Sequence, residues 1–472
     1  MPVETNILFL DHRDQFWLDV VAKMACDRPD IKLVVVDIGH FDYPRQPPWR
    51  VPRKESFGLG AVSRMFEKLG VEYVDARRFS SKSTKMGPEE IGRLRVAVES
   101  SLITAMRKGL ARPGGHVGTL ERLAERLITA QSVQVFAIAM GVIRERSPSR
   151  VFIINGRFAQ QQACVLAAQR LKVDITFLEL NRFFSGKLFS RSYRIQDRLA
   201  TQMHARDISK DISQANLRES VERWESDQRA KNSSTNPFNK LWVDSKSSWD
   251  LPRKGLALFA TSSRDEYDAL DLEWKESSWE TQLDSFHAIW GEIKSSDLTP
   301  VLRVHPNLLN KHLMSGLREI AETKKFMRNN PDFIVVWPSS RASTYDLISY
   351  ADVVVVLNST VGLEASVQGI PVICTGSAGY DLVADVYRIH GPLDLPKLKL
   401  PLASDKSGAE IFVAAQAALD EPVEPNKSGV EIDKHSRFRL LIFSVLDGSL
   451  SSILFELRWK SSRRIALKLF PR

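Results

Sequence analysis

Cysteine is scarce in this chain. Cys26, Cys164 and Cys374 are the only three in 472 residues, far apart and with no CxxC pair. That argues against a disulfide framework or a zinc ribbon and fits a reducing compartment. Long apolar runs are also missing. The longest near-miss, Leu440 to Leu446, falls well short of the roughly 18 residues a membrane span needs. The start, MPVETNILFLDHRD, has a short apolar run from Ile7 to Leu10, closed by Asp11 and without a basic leader. No signal peptide is expected from it. Several enzyme signatures are absent as well. There is no GxxxxGK[ST], no GxSxG and no HExxH, which argues against a P-loop kinase, an α/β-hydrolase and a zincin. Gly58-Leu59-Gly60 lacks a third glycine at the dinucleotide-binding spacing. A cytoplasmic protein that is not integral to a membrane is expected.

What is present is ordinary globular material: 43% apolar and 26% charged residues, 24 Gly and 22 Pro. At roughly 150 residues per domain, the length suits two or three domains. The formal net charge is +9 and is concentrated at the end. From Glu456 to Arg472 six bases (Arg458, Lys460, Arg463, Arg464, Lys468, Arg472) face one acid. The rest is only mildly basic, so no nucleic-acid partner is expected.

Strand-like and helix-like stretches alternate. Asn6–Leu10 and Lys32–Val36 are apolar runs followed by acids, and Val71–Val74 is a weaker strand. Ile91, Leu94, Val98, Leu102 and Ala105 recur at helical spacing. A second helix is expected from Thr119 to Arg146, stopped by Pro148. Val151–Ile154, a helix after Gly156 and Val173–Leu178 complete a βαβ unit. After a polar stretch containing Asn232 to Pro237, strands return at Leu256–Ala260, Pro300–Val304, Phe333–Trp337, Val353–Leu357 and Pro371–Cys374. A helix is expected from Asp265 to Trp279. The fold class predicted is α/β, two doubly wound Rossmann-like domains facing across a cleft. The boundaries predicted are 1–225 for a first α/β domain, 226–254 for a linker, 255–425 for a second α/β domain and 426–472 for a basic amphipathic segment.

Ligands of open parallel sheets sit outside the carboxyl ends of the strands. In the second half those ends are Thr261-Ser262-Ser263, His305-Pro306-Asn307, Pro338-Ser339-Ser340 and Asn358-Ser359-Thr360. The last runs on through Gly362 and Glu364 into a helix, whose amino terminus could seat a phosphate while Glu364 reaches ribose hydroxyls. The plainer alternative makes Ser359 or Thr360 an N-cap and Glu364 the partner in a capping box. His305, held extended by Pro306, could donate to a phosphate oxygen, or could be structural. In the first half Asn155-Gly156-Arg157 closes the best strand, and Arg157 could bind an anion or pair with a surface acid. Glu179 ends the next strand and is the first choice for a general base, with Asp11 second. A solvated acid is the competing reading for both. No cluster of metal ligands stands at any strand end.

Together these residues resemble the capsule polysaccharide biosynthesis family of bacterial glycosyltransferases, which includes the Kdo transferases of capsule assembly. The matching pieces are Ile153–Arg157 with Glu179, Phe259–Ser263 with Asp265-Glu266, Arg303–Pro306, and Asn358–Ala365 running on to Val372. They span Val151 to Tyr380. The resemblance implies a GT-B fold, with donor binding in the second domain and acceptor binding in the first. It is also similar to the HP and paired-hydroxyl motifs of bacterial sialyltransferases, which implies that His305, Ser359 and Thr360 hold the phosphate of a CMP-sugar. An Asp-Asp-Gly motif of the sialyltransferase kind is not found, so the base cannot be carried over.

The expected reaction is transfer of a sugar, from a CMP-sugar by preference, to a cell-surface polysaccharide or lipid-linked glycan, without metal or cofactor. Two alternatives stay open: a CDP-polyol phosphotransferase of teichoic-acid type, and a non-catalytic protein that binds sugar nucleotide or glycan in assembly. At the end of the chain, Leu450, Ile453, Leu454 and Leu457 recur at helical spacing before the bases. That segment could bind an anionic inner membrane surface, or pack back on the first domain.

Overall fold

A computed structural model describes residues 4–10, 15–38, 63–64, 66–76, 84–106, 119–181, 187–233, 255–270, 272–294, 297–306, 308, 313–338, 340, 342–398, 401–419 and 421–423. Asp11, Asn307, Ser339 and the basic segment 426–472 lie outside the described residues.

The chain forms two α/β sheets. The first contains β1 (Thr5–Leu10), β2 (Lys32–Asp37), β3 (Glu72–Asp75), β4 (Arg150–Ile154), β5 (Asp174–Leu180) and β6 (Lys187–Arg191). The second contains β7 (Leu256–Ala260), β8 (Thr299–Arg303), β9 (Ile334–Val336), β10 (Val353–Val356), β11 (Val372–Cys374) and β12 (Tyr387–Arg388). A last short strand, β13 (Glu421–Pro422), returns to the first sheet. The strand orders are β13-β6-β5-β4-β1-β2-β3 and β12-β11-β10-β7-β8-β9. Within each sheet the central pairs are parallel, and the second sheet is parallel throughout. Only the β5–β6 and β6–β13 pairs are antiparallel. The two doubly wound sheets of the sequence reading are therefore present.

Apolar runs become strands here because both faces are covered. In β1, Ile7 and Phe9 enter one core while Leu8 and Leu10 enter another. In β7, Leu256, Leu258 and Ala260 face one core, and Ala257 and Phe259 face the other. This alternation is the two-residue period of a strand, buried on both sides. Helix Thr119–Arg146 matches its expected bounds. Its segment Ala124–Arg146 is long and apolar enough to cross a membrane by length and composition. Here its Ile128, Val135, Phe136 and Met140 are spent in the first core.

Two local expectations differ from the structure. Helix Gln214–Ser233 continues through the first part of the expected linker. It and helix Arg198–Ser209 pack Ala205, Val221 and Trp224 into the core of the second sheet. The helix expected over 265–279 breaks into Arg264–Asp268 and a 3₁₀ turn, Leu272–Trp274. Glu273 there accepts from the backbone N–H of Arg198, so this segment serves as a docking point.

Candidate functional site

Each sheet reverses its winding direction once. After β7 the chain lays β8 and β9 to one side, then β10, β11 and β12 to the other. After β1 it lays β2 and β3 to one side, then β4 and β5 to the other. Where the order reverses, neighbouring loops diverge and leave a crevice outside the carboxyl ends. In the second sheet that crevice is flanked by Thr261–Ser263 after β7 and Asn358–Thr360 after β10. In the first it is flanked by Asn155–Arg157 after β4.

The turn after β4 is built by two consecutive left-handed residues, Asn155 (φ 61°) and Gly156 (φ 78°). Asparagine tolerates that region better than most side chains. Glycine is required at 156 on two counts, because a Cβ there would lie 2.5 Å from the Phe177 ring. The Asn155 side chain works in both directions. Its Oδ1 accepts from the Arg157 N–H at 3.1 Å, and its Nδ2 donates to Glu179 Oε2. Asn155, Gly156, Arg157 and Glu179 are thus brought together. Glu179 does not follow its strand, however. It lies inside β5, opposite Phe189 of β6, because the antiparallel β6 extends the ladder. Arg157 spreads over the Phe158 ring at 4.7 Å.

In the second sheet, Thr261 ties two strand ends. Its N–H donates to the Arg303 carbonyl at 3.0 Å, and its Oγ1 accepts from the His305 N–H at 2.8 Å. The Arg303 guanidinium is buried and donates to the Trp337 carbonyl at 2.9 Å. Burial pushes its pKa down to about 9. His305 and Pro306 are half-buried just beyond β8. Next to Thr261, the backbone of Ser262 is gripped by Gln282, which accepts from its N–H at 2.9 Å and donates to its carbonyl at 3.3 Å. The Ser262 hydroxyl is buried with no hydrogen-bond partner among the described residues. Ser263 is 2% exposed and its carbonyl accepts from Tyr267. Because β7 stands between β8 and β10, His305 and Ser359 are on opposite sides of the Thr261–Ser263 loop.

Helix Thr360–Val367 starts directly after β10. Ser359 is its N-cap, and the Ser359 hydroxyl accepts from the Val361 N–H at 3.3 Å. The Ser359 carbonyl accepts from Gly362 N–H at 3.1 Å. Two of the N–H groups an anion could use are therefore already occupied by Ser359. Thr360 is exposed, Asn358 is half-buried, and Gly362 is buried. Glu364 is 8% exposed. It belongs to the second turn, not the first, and the N3 position of a capping box is filled by Gly362. That register corrects the capping-box reading and the first-turn placement of Glu364.

Residues with no motif complete the site. Tyr380 donates to the Ser359 carbonyl at 2.7 Å. Burial pushes its phenol well above the ordinary value, and burial likewise raises the Cys374 thiol beside it. Arg198 and Gln202 both bond Asp381. None of these carried a sequence signal beyond polar residues in otherwise ordinary segments. A cavity of about 640 Å³ opens elsewhere, between Arg150, Asp174, Thr176 and Arg191, and holds none of the candidate residues.

Residues 296–384 match the family of capsule polysaccharide biosynthesis proteins. The matched stretch contains His305-Pro306 and Asn358–Ala365, and over it the resemblance read from the motifs is borne out. No curated protein matches the chain. Among solved structures, the beta Kdo 2,4 transferase KpsC of Thermosulfurimonas dismutans is similar at 15% identity and a TM-score of 0.38, over 57% of this chain and 79% of its own. The UDP-GlcNAc 2-epimerase of Methanocaldococcus jannaschii, in complex with UDP-GlcNAc and UDP, is similar at 13% identity and a TM-score of 0.26, over 93% and 99%. The calicheamicin glycosyltransferase CalG4 is similar at 12% identity and a TM-score of 0.26, over 88% and 94%.

Proposed function

We propose that the protein is a glycosyltransferase of capsule polysaccharide synthesis. It would move a sugar from a nucleotide-sugar donor, a CMP-sugar by preference, to a growing glycan or lipid-linked acceptor. One observation carries the reading: the capsule-family match covers the loops after β8 and β10, which flank the winding reversal of the second sheet. An acceptor hydroxyl attacks the anomeric carbon, its proton passes to a base, and the bond to the donor phosphate breaks. His305 and Thr360 would donate to the phosphate as its charge grows. Glu179 is the proposed base. Its Oε2 accepts from Asn155 and its Oε1 from the Leu180 N–H at 3.3 Å, and the proton would go to a remaining lone pair of this carboxylate. Asn155 would orient the carboxylate, and Gly156 and Arg157 would line the acceptor side.

No metal is assigned a role, so transfer in EDTA should equal transfer in Mg²⁺. The protein would act in the cytoplasm, at the inner face of the membrane. The test is a thermal-shift screen against CMP, CDP, UDP and GDP, followed by transfer of radiolabel from a CMP-sugar. A bound ligand at 100 times its Kd raises stability by about 2.7 kcal/mol. Stabilisation by CMP with label transfer is expected. Transfer from CDP-glycerol alone, or nucleotide binding with no transfer from any donor, would replace this reading with one of its two alternatives.

A further inference from the structure

The structure assigns Tyr380 a further role, as the positioning residue of the Ser359–Thr360 loop. The inference rests on the proposed reading of that loop as part of the donor seat. It begins from the number of bonds that fix Ser359. The hydroxyl accepts from Val361 N–H, and the carbonyl accepts from both Gly362 N–H and the Tyr380 phenol. The first two are local to the helix end and form wherever a serine caps a helix. The third comes from 21 residues away and from a different strand end. Among the described residues it is the long-range hydrogen bond that Ser359 itself makes.

The approach is made possible by Gly362. A Cβ at that position would lie 2.1 Å from the phenol oxygen, with Val356 and Val372 side-chain carbons at 3.0 and 3.1 Å. Any side chain at position 362 would push the hydroxyl off the carbonyl. Tyr380 is also held from behind. Its neighbour Asp381 is the buried partner of Arg198, and the carbonyl of Tyr380 accepts from Ala384 and Val383. With 2% exposure the ring is sealed from ligand. It acts through Ser359, not on the substrate. Its phenol remains protonated at working pH because burial opposes ionisation. The clamp is therefore a constant donor that holds the N-cap, and with it the Thr360 hydroxyl, where phosphate would arrive.

Tyr380→Phe removes one oxygen and keeps the ring. Full-length wild type and variant should be compared by amide exchange over residues 357–363, by calorimetric titration with CMP, and by donor KM and kcat. We expect faster exchange confined to that loop. CMP affinity should weaken roughly five- to tenfold, the scale of one buried hydrogen bond. Gly362→Ala should cost more in wild type than in the Tyr380→Phe background, because the hydroxyl it displaces is already gone. Unchanged exchange together with unchanged affinity overturns the role. A lower global unfolding midpoint without any local change in exchange overturns it too, since Tyr380 would then be ordinary core. Faster local exchange in a protein whose wild type binds no nucleotide upholds the clamp and rejects the donor reading instead.

Discussion

Arg198 and Asp381 meet as a buried bidentate ion pair, both Nη2–Oδ distances being 2.8 Å. Their side chains are 1% and 0% exposed. Arg198 opens the helix that follows the first sheet's last hairpin strand, and Asp381 follows β11 of the second sheet. Arg198 Nε adds a bond to the Ala378 carbonyl at 2.9 Å, and Gln202 shares both acceptors.

Removing one member should be far worse than removing both. Arg198→Met leaves Asp381 buried without its counter-charge, a situation that costs about 3–5 kcal/mol. The double variant Arg198→Met/Asp381→Leu should recover much of that loss. Urea unfolding midpoints measure both. A single variant as stable as wild type would contradict the burial of this pair.

Stability should fall as pH drops below about 6.5. His390 is the reason proposed, because burial, the largest influence, lowers its pKa, while Asp381 opposes that effect and Arg388 adds to it. Above the ordinary value both folded and unfolded chains carry the neutral ring, and no difference arises. Below it the unfolded chain takes up a proton that the folded one resists. The loss grows until the lowered folded pKa is passed. His390→Gln should flatten the curve of melting temperature against pH between 6.5 and 5. An unchanged slope would remove His390 from the account.

His305→Ala should slow transfer by roughly one to three orders of magnitude, the scale of losing one preorganised donor. The fold should survive, because alanine keeps the backbone N–H that donates to Thr261 at this strand end. Wild-type turnover would end the proposed role.

Glu179→Gln should abolish transfer and spare nucleotide binding. The amide oxygen can still accept from Asn155, so the turn after β4 keeps its shape while the basic oxygen is lost. Activity in Glu179→Gln combined with a dead Asp11→Asn protein would move the base to Asp11. Activity in both would displace the base from the first domain's candidates altogether.

The basic end of the chain offers a separate test. Co-sedimentation with liposomes should require anionic lipid and weaken with salt, each base adding on the order of 1 kcal/mol near such a surface. A protein ending at Ser449 should lose that binding. Equal binding by both forms, or indifference to salt, would reject an electrostatic anchor.

Legibility followed periodicity. Val353–Val356 and Val151–Ile154 could hardly be anything but buried parallel strands, and the loops after them were reachable from that fact alone. What stayed hidden was long-range. Tyr380, Arg198 and Gln282 act through hydrogen bonds to backbone or side-chain atoms far away in the sequence, and no spacing announces such partners. Glu179 reads as the end of its strand because β6, short and interrupted by polar residues, gives no hint that it extends the ladder. Glu364 lies beyond the capping-box position, because the cap at Ser359 puts that position at Gly362.

The first sheet is finished last. Its edge strand β6 is paired by Glu421–Pro422, which the ribosome delivers only after the whole second sheet has been made. Lys187 Nζ meanwhile donates to the Ala417 carbonyl, fastening the same edge to the end of helix Ser407–Leu419. During synthesis, then, β6 must wait with an open edge, the kind of surface that recruits a stranger's strand. An amino-terminal half cut out before residue 255 would keep that open edge permanently, and it should aggregate where the full chain does not.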